Sequence, residues 1–203
     1  MMVARCIVLL DQDGNFDGST MKLLGIPASN SSQSINAKLI NLALDWVGEM
    51  VAVQHEKAML DLNAFEMPIY SSDREATDGV PALAQAFLDE ITSADALIMS
   101  FAEHNGSYTA AFKNTFDWAS RLNAKVYQDK PVVMMATSPG KRGGAGVLAA
   151  ATTAAPFFGA NLVGSFSLPS FNQSFDTERG SITDPEKENE LRAVLRELVS
   201  HLN

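Results

Sequence analysis

The sequence predicts a doubly wound α/β sandwich, on three observations. Five short apolar runs recur along the chain, helical patterns separate them, and polar serine- or glycine-rich loops follow three of the runs. The runs are residues 22–27, 57–62, 95–101, 131–137 and 161–168. Most carry consecutive apolar side chains, such as Leu97, Ile98 and Met99, or Val132, Val133, Met134 and Met135. Strict alternation would mark a sheet with one wet face. Unbroken runs mark strands covered on both faces, as in a parallel sheet.

Between the runs, apolar residues return at spacings of three and four. From Ser34 onward these are Ile35, Leu39, Leu42, Ala43 and Trp46. Val80, Leu83, Phe87 and Ile91 make a second set, and Phe112, Phe116, Ala119 and Leu122 a third. The last helix is the clearest, with Leu191, Val194, Leu195, Leu198 and Leu202 in one stripe. Its start is written as Asp184, a cap, followed by Pro185 at the first helical position. Five strands fit the flavodoxin-like order, and so a three-layer sandwich with a five-stranded parallel sheet, better than the six-stranded dinucleotide-binding order. Residues 21–203 form this domain. Residues 1–20 read as an N-terminal extension, either an edge strand at Cys6 to Leu10 or an artefact of start-site choice.

Composition narrows the function classes. With 203 residues, 46% of them hydrophobic and 19% charged, the chain has material for one buried core. The net charge is −9 and no run of Lys or Arg breaks it, which argues against nucleic acid as a partner. The one cysteine, Cys6, allows no internal disulfide and reads as a small buried hydrophobe in a reducing compartment. No apolar stretch is long enough to span a bilayer, and the short apolar run 7–10 leads into Asp11 and Asp13 rather than a cleavage site. The expected location is therefore cytoplasmic, with no membrane partner.

In an open parallel sheet, ligands bind beyond the carboxyl ends of the strands. The first loop there runs from Ala28 to Asn36 and carries four serines and two asparagines. Hydroxyls, amides and the free N–H groups of a helix start can solvate a phosphate without Lys or Arg. A capped polar loop explains the same residues equally well. No Gly-Lys-Ser or Gly-Lys-Thr is present, which argues against a nucleotide triphosphatase. The second loop, Phe101 to Tyr108, contains Glu103, His104 and Asn105. Three histidines in scattered positions make a metal site a poor reading, so none is expected. A tight turn at Asn105-Gly106, with backbone against a flat ligand, is the better one. The third loop, Thr137 to Gly146, contains Gly144-Ala145-Gly146-Val147-Leu148-Ala149, a formal G-x-G-x-x-A match. It comes late in the chain and lacks an acidic residue about 20 positions on, so the dinucleotide reading is rejected. Lys141 and Arg142, the only adjacent basic pair, are either solvated or placed to attract a phosphate of a nicotinamide cofactor. No G-x-S-x-G nucleophile elbow is present, which weakens a hydrolase reading.

At these loops the sequence resembles the NADPH-dependent FMN reductase family, which includes azo-dye and quinone reductases. Glu103-His104-Asn105-Gly106-Ser107, with Lys113-Asn114 and Asp117-Trp118 after it, is similar to the family's Pro-Glu-Tyr-Asn-Gly-Ser loop and Lys-Asn-x-x-Asp-Trp helix. Ser138-Pro139-Gly140 and Gly143-Gly144-Ala145 resemble its third loop, and Ser34-Ile35-Asn36 the end of its phosphate loop. The likeness runs from about Met21 to Leu168. The family usually has Gly-Ser-x-Arg where this chain reads Ala28-Ser29-Asn30-Ser31, so phosphate binding would rest on neutral donors. His104 stands for the family's tyrosine and Ala102 for its proline.

The resemblance implies FMN as cofactor. Its phosphate would lie at Ser29, Ser31, Ser34, Ile35 and Asn36, its ring on Ala102, Glu103, His104, Asn105 and Gly106, and its far edge near Ser138, Pro139 and Gly140. It implies NADPH or NADH as donor, a small acceptor such as a quinone, azo compound or free flavin, and a ping-pong cycle on one flavin face. His104 is the one candidate catalytic side chain, with positioning its preferred role. Lys113, Asn114, Asp117 and Trp118 read as structural. A non-enzymatic flavodoxin-like electron carrier is the alternative. Family members commonly form dimers, which implies a homodimer or homotetramer; Phe157, Phe158 and Phe166 are interface candidates, with core burial the default.

Overall fold

Residues 20–202 are described by the computed structural model, and five parallel strands form their centre. These are β1 (Met21–Ala28), β2 (His55–Met59), β3 (Ala96–Phe101), β4 (Pro131–Thr137) and β5 (Asn161–Leu168), in the order β2-β1-β3-β4-β5. The helices are α1 (Ile35–Met50), α2 (Ser72–Asp78), α3 (Ala82–Thr92), α4 (Ala110–Leu122), α5 (Ala145–Ala154), α6 (Phe171–Ser174) and α7 (Pro185–Ser200). A two-stranded antiparallel hairpin, β6 (Phe175–Asp176) with β7 (Ser181–Ile182), precedes α7. The reading of Cys6 and of an edge strand at Cys6 to Leu10 lies outside the described residues.

The unbroken apolar runs have the physical basis inferred from them. Successive side chains of a strand point to opposite faces. In β3, Leu97, Met99 and Phe101 enter one core with α3, α4 and α5, while Ala96 and Ile98 enter the other with α1 and α7. In β4, Val132 and Met134 divide from Val133 and Met135 in the same way. The sheet is thus the middle layer of three.

Strands β4 and β5 fall where the sequence reading puts them, and β1 and β3 within a residue at either end. The second strand is displaced: the sequence predicts 57–62, and the structure gives His55–Met59. This is an edge strand, paired only to β1 from Met21↔His55 to Gly25↔Met59, and most of its side chains face solvent. Its pairing is therefore not marked by apolar residues. The apolar Leu60 and Leu62 that attracted the reading are buried after the strand ends, the latter opening a 3-10 turn at Leu62–Phe65.

Two helix stripes also need correction. Leu83 is 39% exposed because the buried face of α3 is Ala84, Phe87, Leu88 and Ile91, and Val80 precedes the helix. Leu122 is 44% exposed because α4 ends there, one turn past its last core contact at Ala119. Among the phenylalanines, Phe166 is buried and Phe158 stacks edge-on against Phe116 at 4.8 Å, while Phe157 is 81% exposed. Among the described residues no helix is long and apolar enough to cross a membrane.

Candidate functional site

The carboxyl ends of β1, β3 and β4 open onto a cleft of about 200 Å³. Its wall brings together Ser29, Ser31, Ser34, Ile35 and Asn36 from the first loop, Ala102, Glu103 and His104 from the second, and Ser138 and Pro139 from the third. Gln33 and Thr137 complete it, and the sequence reading assigned neither. Three of the expected residues do not line the cleft. Asn105 and Gly106 form the exposed tip of a turn, and Gly140 turns its carbonyl back to Ser170 N at 2.9 Å.

The first loop is organised for donation. Ser29 Oγ accepts from Ser31 N, Ser31 Oγ from Gln33 N, and Ser34 Oγ from Ala37 N, each at 3.2 Å. A hydroxyl that accepts still has a proton to donate, and none of these three donates within the described residues. Ser34 caps α1, and the first-turn N–H groups of Ile35 and Asn36 have no acceptor among the described residues. With no acidic residue in that turn, the positive end of a 16-residue helix is left open. Hydroxyl donors, free N–H groups and a helix start together suit a phosphate.

The side chain of Asn36 is committed to the scaffold. It is 2% exposed, and its Oδ1 accepts from Ser100 Oγ at 2.7 Å and from Thr137 N at 3.1 Å. Its Nδ2 donates to Thr137 O at 3.4 Å. The side chain therefore ties the ends of β3 and β4 to α1, and its backbone N–H is the donor left without an acceptor among the described residues. A serine inside the apolar run of β3 was the available signal of this clamp.

The second loop carries the expected turn. Asn105 and Gly106 both have positive φ, at 52° and 77°, and His104 and Ser107 exchange hydrogen bonds of 2.9 and 3.1 Å. Asn-Gly suits this two-residue turn because both central positions need left-handed backbone. The His104 ring is exposed and has no hydrogen-bond partner among the described residues. Glu103 Oε1 accepts from Val147 N at 3.0 Å and so reaches the start of α5. Thr109, which caps α4 through Phe112 N, donates to Ala28 O at 3.1 Å and fixes this loop to the end of β1.

The third loop is held from behind. Phe171 N donates to Ser138 O at 3.0 Å, and Ser167 Oγ to Gly143 O at 3.0 Å. Lys141 and Arg142 are exposed and have no ion pair among the described residues. The four motif residues on α4 take structural positions. Lys113 pairs with Asp117 at 2.7 Å. Asn114 holds Tyr70 N and Met67 O, both at 2.9 Å, and buried Trp118 donates from Nε1 to Pro68 O at 2.7 Å. The segment they hold walls a second cavity of about 250 Å³, with Asn30, Leu62 and Ala111 among its lining.

Fold and site together define a flavodoxin-like α/β protein whose loop cleft suits a phosphorylated ligand. The sequence profile of the family described as NADPH-dependent FMN reductase matches residues 21–173, and the chain belongs to that family. It is 31% identical to an NAD(P)H-dependent FMN reductase of Pseudomonas aeruginosa over 123 residues, which is 61% of this chain and 63% of that protein. The chain thus matches less than two thirds of that relative's length. It is 30% identical to the NAD(P)H:quinone oxidoreductase of Solanum tuberosum over 179 residues, 86% of this chain and 89% of that one. Among solved structures, FerB, a flavoenzyme NAD(P)H:(acceptor) oxidoreductase from Paracoccus denitrificans, superposes with a TM-score of 0.68 at 24% identity. That superposition covers 89% of this chain and 96% of FerB.

Proposed function

We propose that the chain binds FMN in this cleft and is an NAD(P)H-dependent oxidoreductase acting on a small acceptor, such as a quinone, an azo compound or free flavin. The observation that carries the reading is the open start of α1, with the uncommitted hydroxyls of Ser29, Ser31 and Ser34 beside it. The names borne by the Pseudomonas and potato relatives support the same chemistry.

Bound FMN supplies a ring that takes hydride from a nicotinamide and yields reducing equivalents to an acceptor. The protein's part is position and electrostatics. Ser29, Ser31, Ser34, Ile35 and Asn36 hold the phosphate, the last two through backbone N–H. Ala102, Glu103 and His104 back the ring, the Asn105-Gly106 turn fixes their course, and Ser138 and Pro139 border its far edge. The cleft is smaller than the roughly 300 Å³ of a small enclosed ligand site. A ligand seated there by its phosphate keeps one ring face open, so donor and acceptor can use that face in turn, a ping-pong cycle. His104, exposed beside the ring position, acts by positioning.

We further propose a cytoplasmic enzyme, on the strength of its single cysteine. The family resemblance implies a homodimer or homotetramer, with Phe157, 81% exposed, as an interface candidate; sedimentation of the purified chain tests it. The function itself is tested by purifying the protein without added flavin, recording the visible spectrum and adding NADPH without oxygen. Yellow protein that bleaches promptly and recolours with a quinone supports the reductase. Yellow protein unchanged by NADPH indicates an electron carrier. A colourless chain that takes up no added FMN sinks the reading.

A further inference from the structure

Helix α1 starts at the cleft and helix α5 starts against Glu103 of its wall, and the chain treats the two starts differently. The start of α1 is open, as described above. Helix α5 begins after Gly144, which has no side chain to cap it and stands in left-handed backbone at φ 76°. Its first turn contains no acidic residue of its own. The missing cap comes from another loop: Glu103, 44 positions earlier in the chain, accepts from Val147 N at 3.0 Å. Gly146 makes room for it, since a Cβ there would collide with the Glu103 carboxylate.

We propose that Glu103 is a positioning residue that caps α5 in place of Gly144. In this role it ties the flavin-backing turn to the third loop and places a negative charge beside the ring. Three consequences follow from the geometry. The loop from Glu103 to Thr109 is anchored at both ends, by Glu103 to α5 and by Thr109 to β1. Of the two helix starts, only that of α1 is left to attract an anion, which directs a phosphate to the serine loop. The carboxylate also offsets the positive end of α5, so a ring resting on residues 102–104 meets less positive potential than the helix alone would give. Reduced FMN is anionic, and Glu103 therefore disfavours it relative to oxidised FMN.

This proposal rests on the FMN reading for its electrostatic part but not for its capping part, and the test separates the two. Glu103→Gln keeps an oxygen that can accept from Val147 N and removes the charge; Glu103→Ala removes both. Amide exchange at Val147, followed by NMR in the flavin-free protein, reports the cap. Exchange should stay near the parent rate in Glu103→Gln and rise about 2- to 30-fold in Glu103→Ala, the range that loss of a cap spans. Dissociation constants for oxidised and for reduced FMN, measured anaerobically, report the charge. In Glu103→Gln the ratio should move about two- to fivefold toward the reduced form, the span of one charge at a helix end, and the midpoint potential should rise. A purely structural role would leave that ratio at the parent value.

Unchanged exchange at Val147 in Glu103→Ala overturns the cap. An unchanged affinity ratio in Glu103→Gln overturns the charge effect. A parent protein that takes up no FMN overturns the functional reading and the electrostatic part with it, while exchange at Val147 still decides the cap. Should Glu103→Ala fail to fold, the Gly146→Ala variant, whose added methyl displaces the carboxylate, replaces it in the exchange measurement.

Discussion

Asn36 shows how a side chain in a ligand loop can be committed to the scaffold. Its amide satisfies Ser100 Oγ and Thr137 N, both fully or nearly fully buried. In Asn36→Ala those groups lose their partner where water cannot replace it, at about 1–3 kcal/mol each. The expected result is a melting temperature lower by about 4–24 °C in the flavin-free protein, at about 2–4 °C per kcal/mol for a domain of this size. A thermal scan without flavin separates this from any loss of a phosphate contact. On the third loop the balance is the opposite. Lys141 and Arg142 are exposed in a chain of net charge −9 and have no ion pair among the described residues. If they meet the extra phosphate of NADPH, replacing both by alanine should raise KM for NADPH about fivefold, an exposed ion-pair effect near 1 kcal/mol. KM for NADH should hardly move. Equal changes for the two donors would instead mean a general effect on the loop.

Among the elements, the connection from β2 to α3 is held by contacts that its own pattern does not advertise. Tyr70 stacks edge-on against Trp118 at 5.0 Å and donates to Glu75 at 3.0 Å, while Arg121 Nε reaches the same carboxylate at 3.0 Å. The Arg121 guanidinium holds the Glu75 carboxyl below its ordinary range, and the bond to Glu75 holds the Tyr70 hydroxyl above its own. A lowered carboxylate pKa gives stability that is present above the unfolded value and lost as pH falls through the folded one. The link from α2 to α4 should therefore persist through neutral pH and weaken only below about pH 4.3, the unperturbed glutamate value. Amide exchange in residues 72–78 against pH checks it, and Glu75→Gln should flatten that dependence. None of this was legible in the sequence. Helix α2 buries no residue and so has no stripe to read, and the sequence reading left it out. Edge strand β2 was misplaced for a related reason, since its register comes from backbone pairing to β1. Strands β3 and β4, with both faces in a core, announce themselves because every side chain is apolar or small. At the site, the turn at Asn105-Gly106 was legible because its chemistry is local. The tasks of Asn36 and Glu103 were not, because their partners lie 101 and 44 positions away.

At the scale of the molecule, two cores on opposite faces of one sheet hold three loops at a fixed spacing before any ligand arrives. The sheet supplies the rigidity: β1, β3 and β4 are buried along nearly their whole length and end together at the cleft. A preformed site binds the folded chain and not the unfolded one, so ligand binding should appear as stability. At free FMN of 100 times its Kd the gain is about 2.7 kcal/mol, or about 5–10 °C in melting temperature for a chain of this length. The expected shift depends on which end of the ligand the fold grips. In the proposed site the α1 start and its serines grip the phosphate and the ring meets an open face, so riboflavin, which keeps the ring and lacks the phosphate, should give a much smaller shift at equal concentration. Ser34→Ala removes the cap of α1 and one hydroxyl donor. It should lower the FMN shift while leaving the riboflavin shift near its parent value. Equal shifts for FMN and riboflavin would place the grip on the ring instead, and the open helix start would then need another anion to explain it.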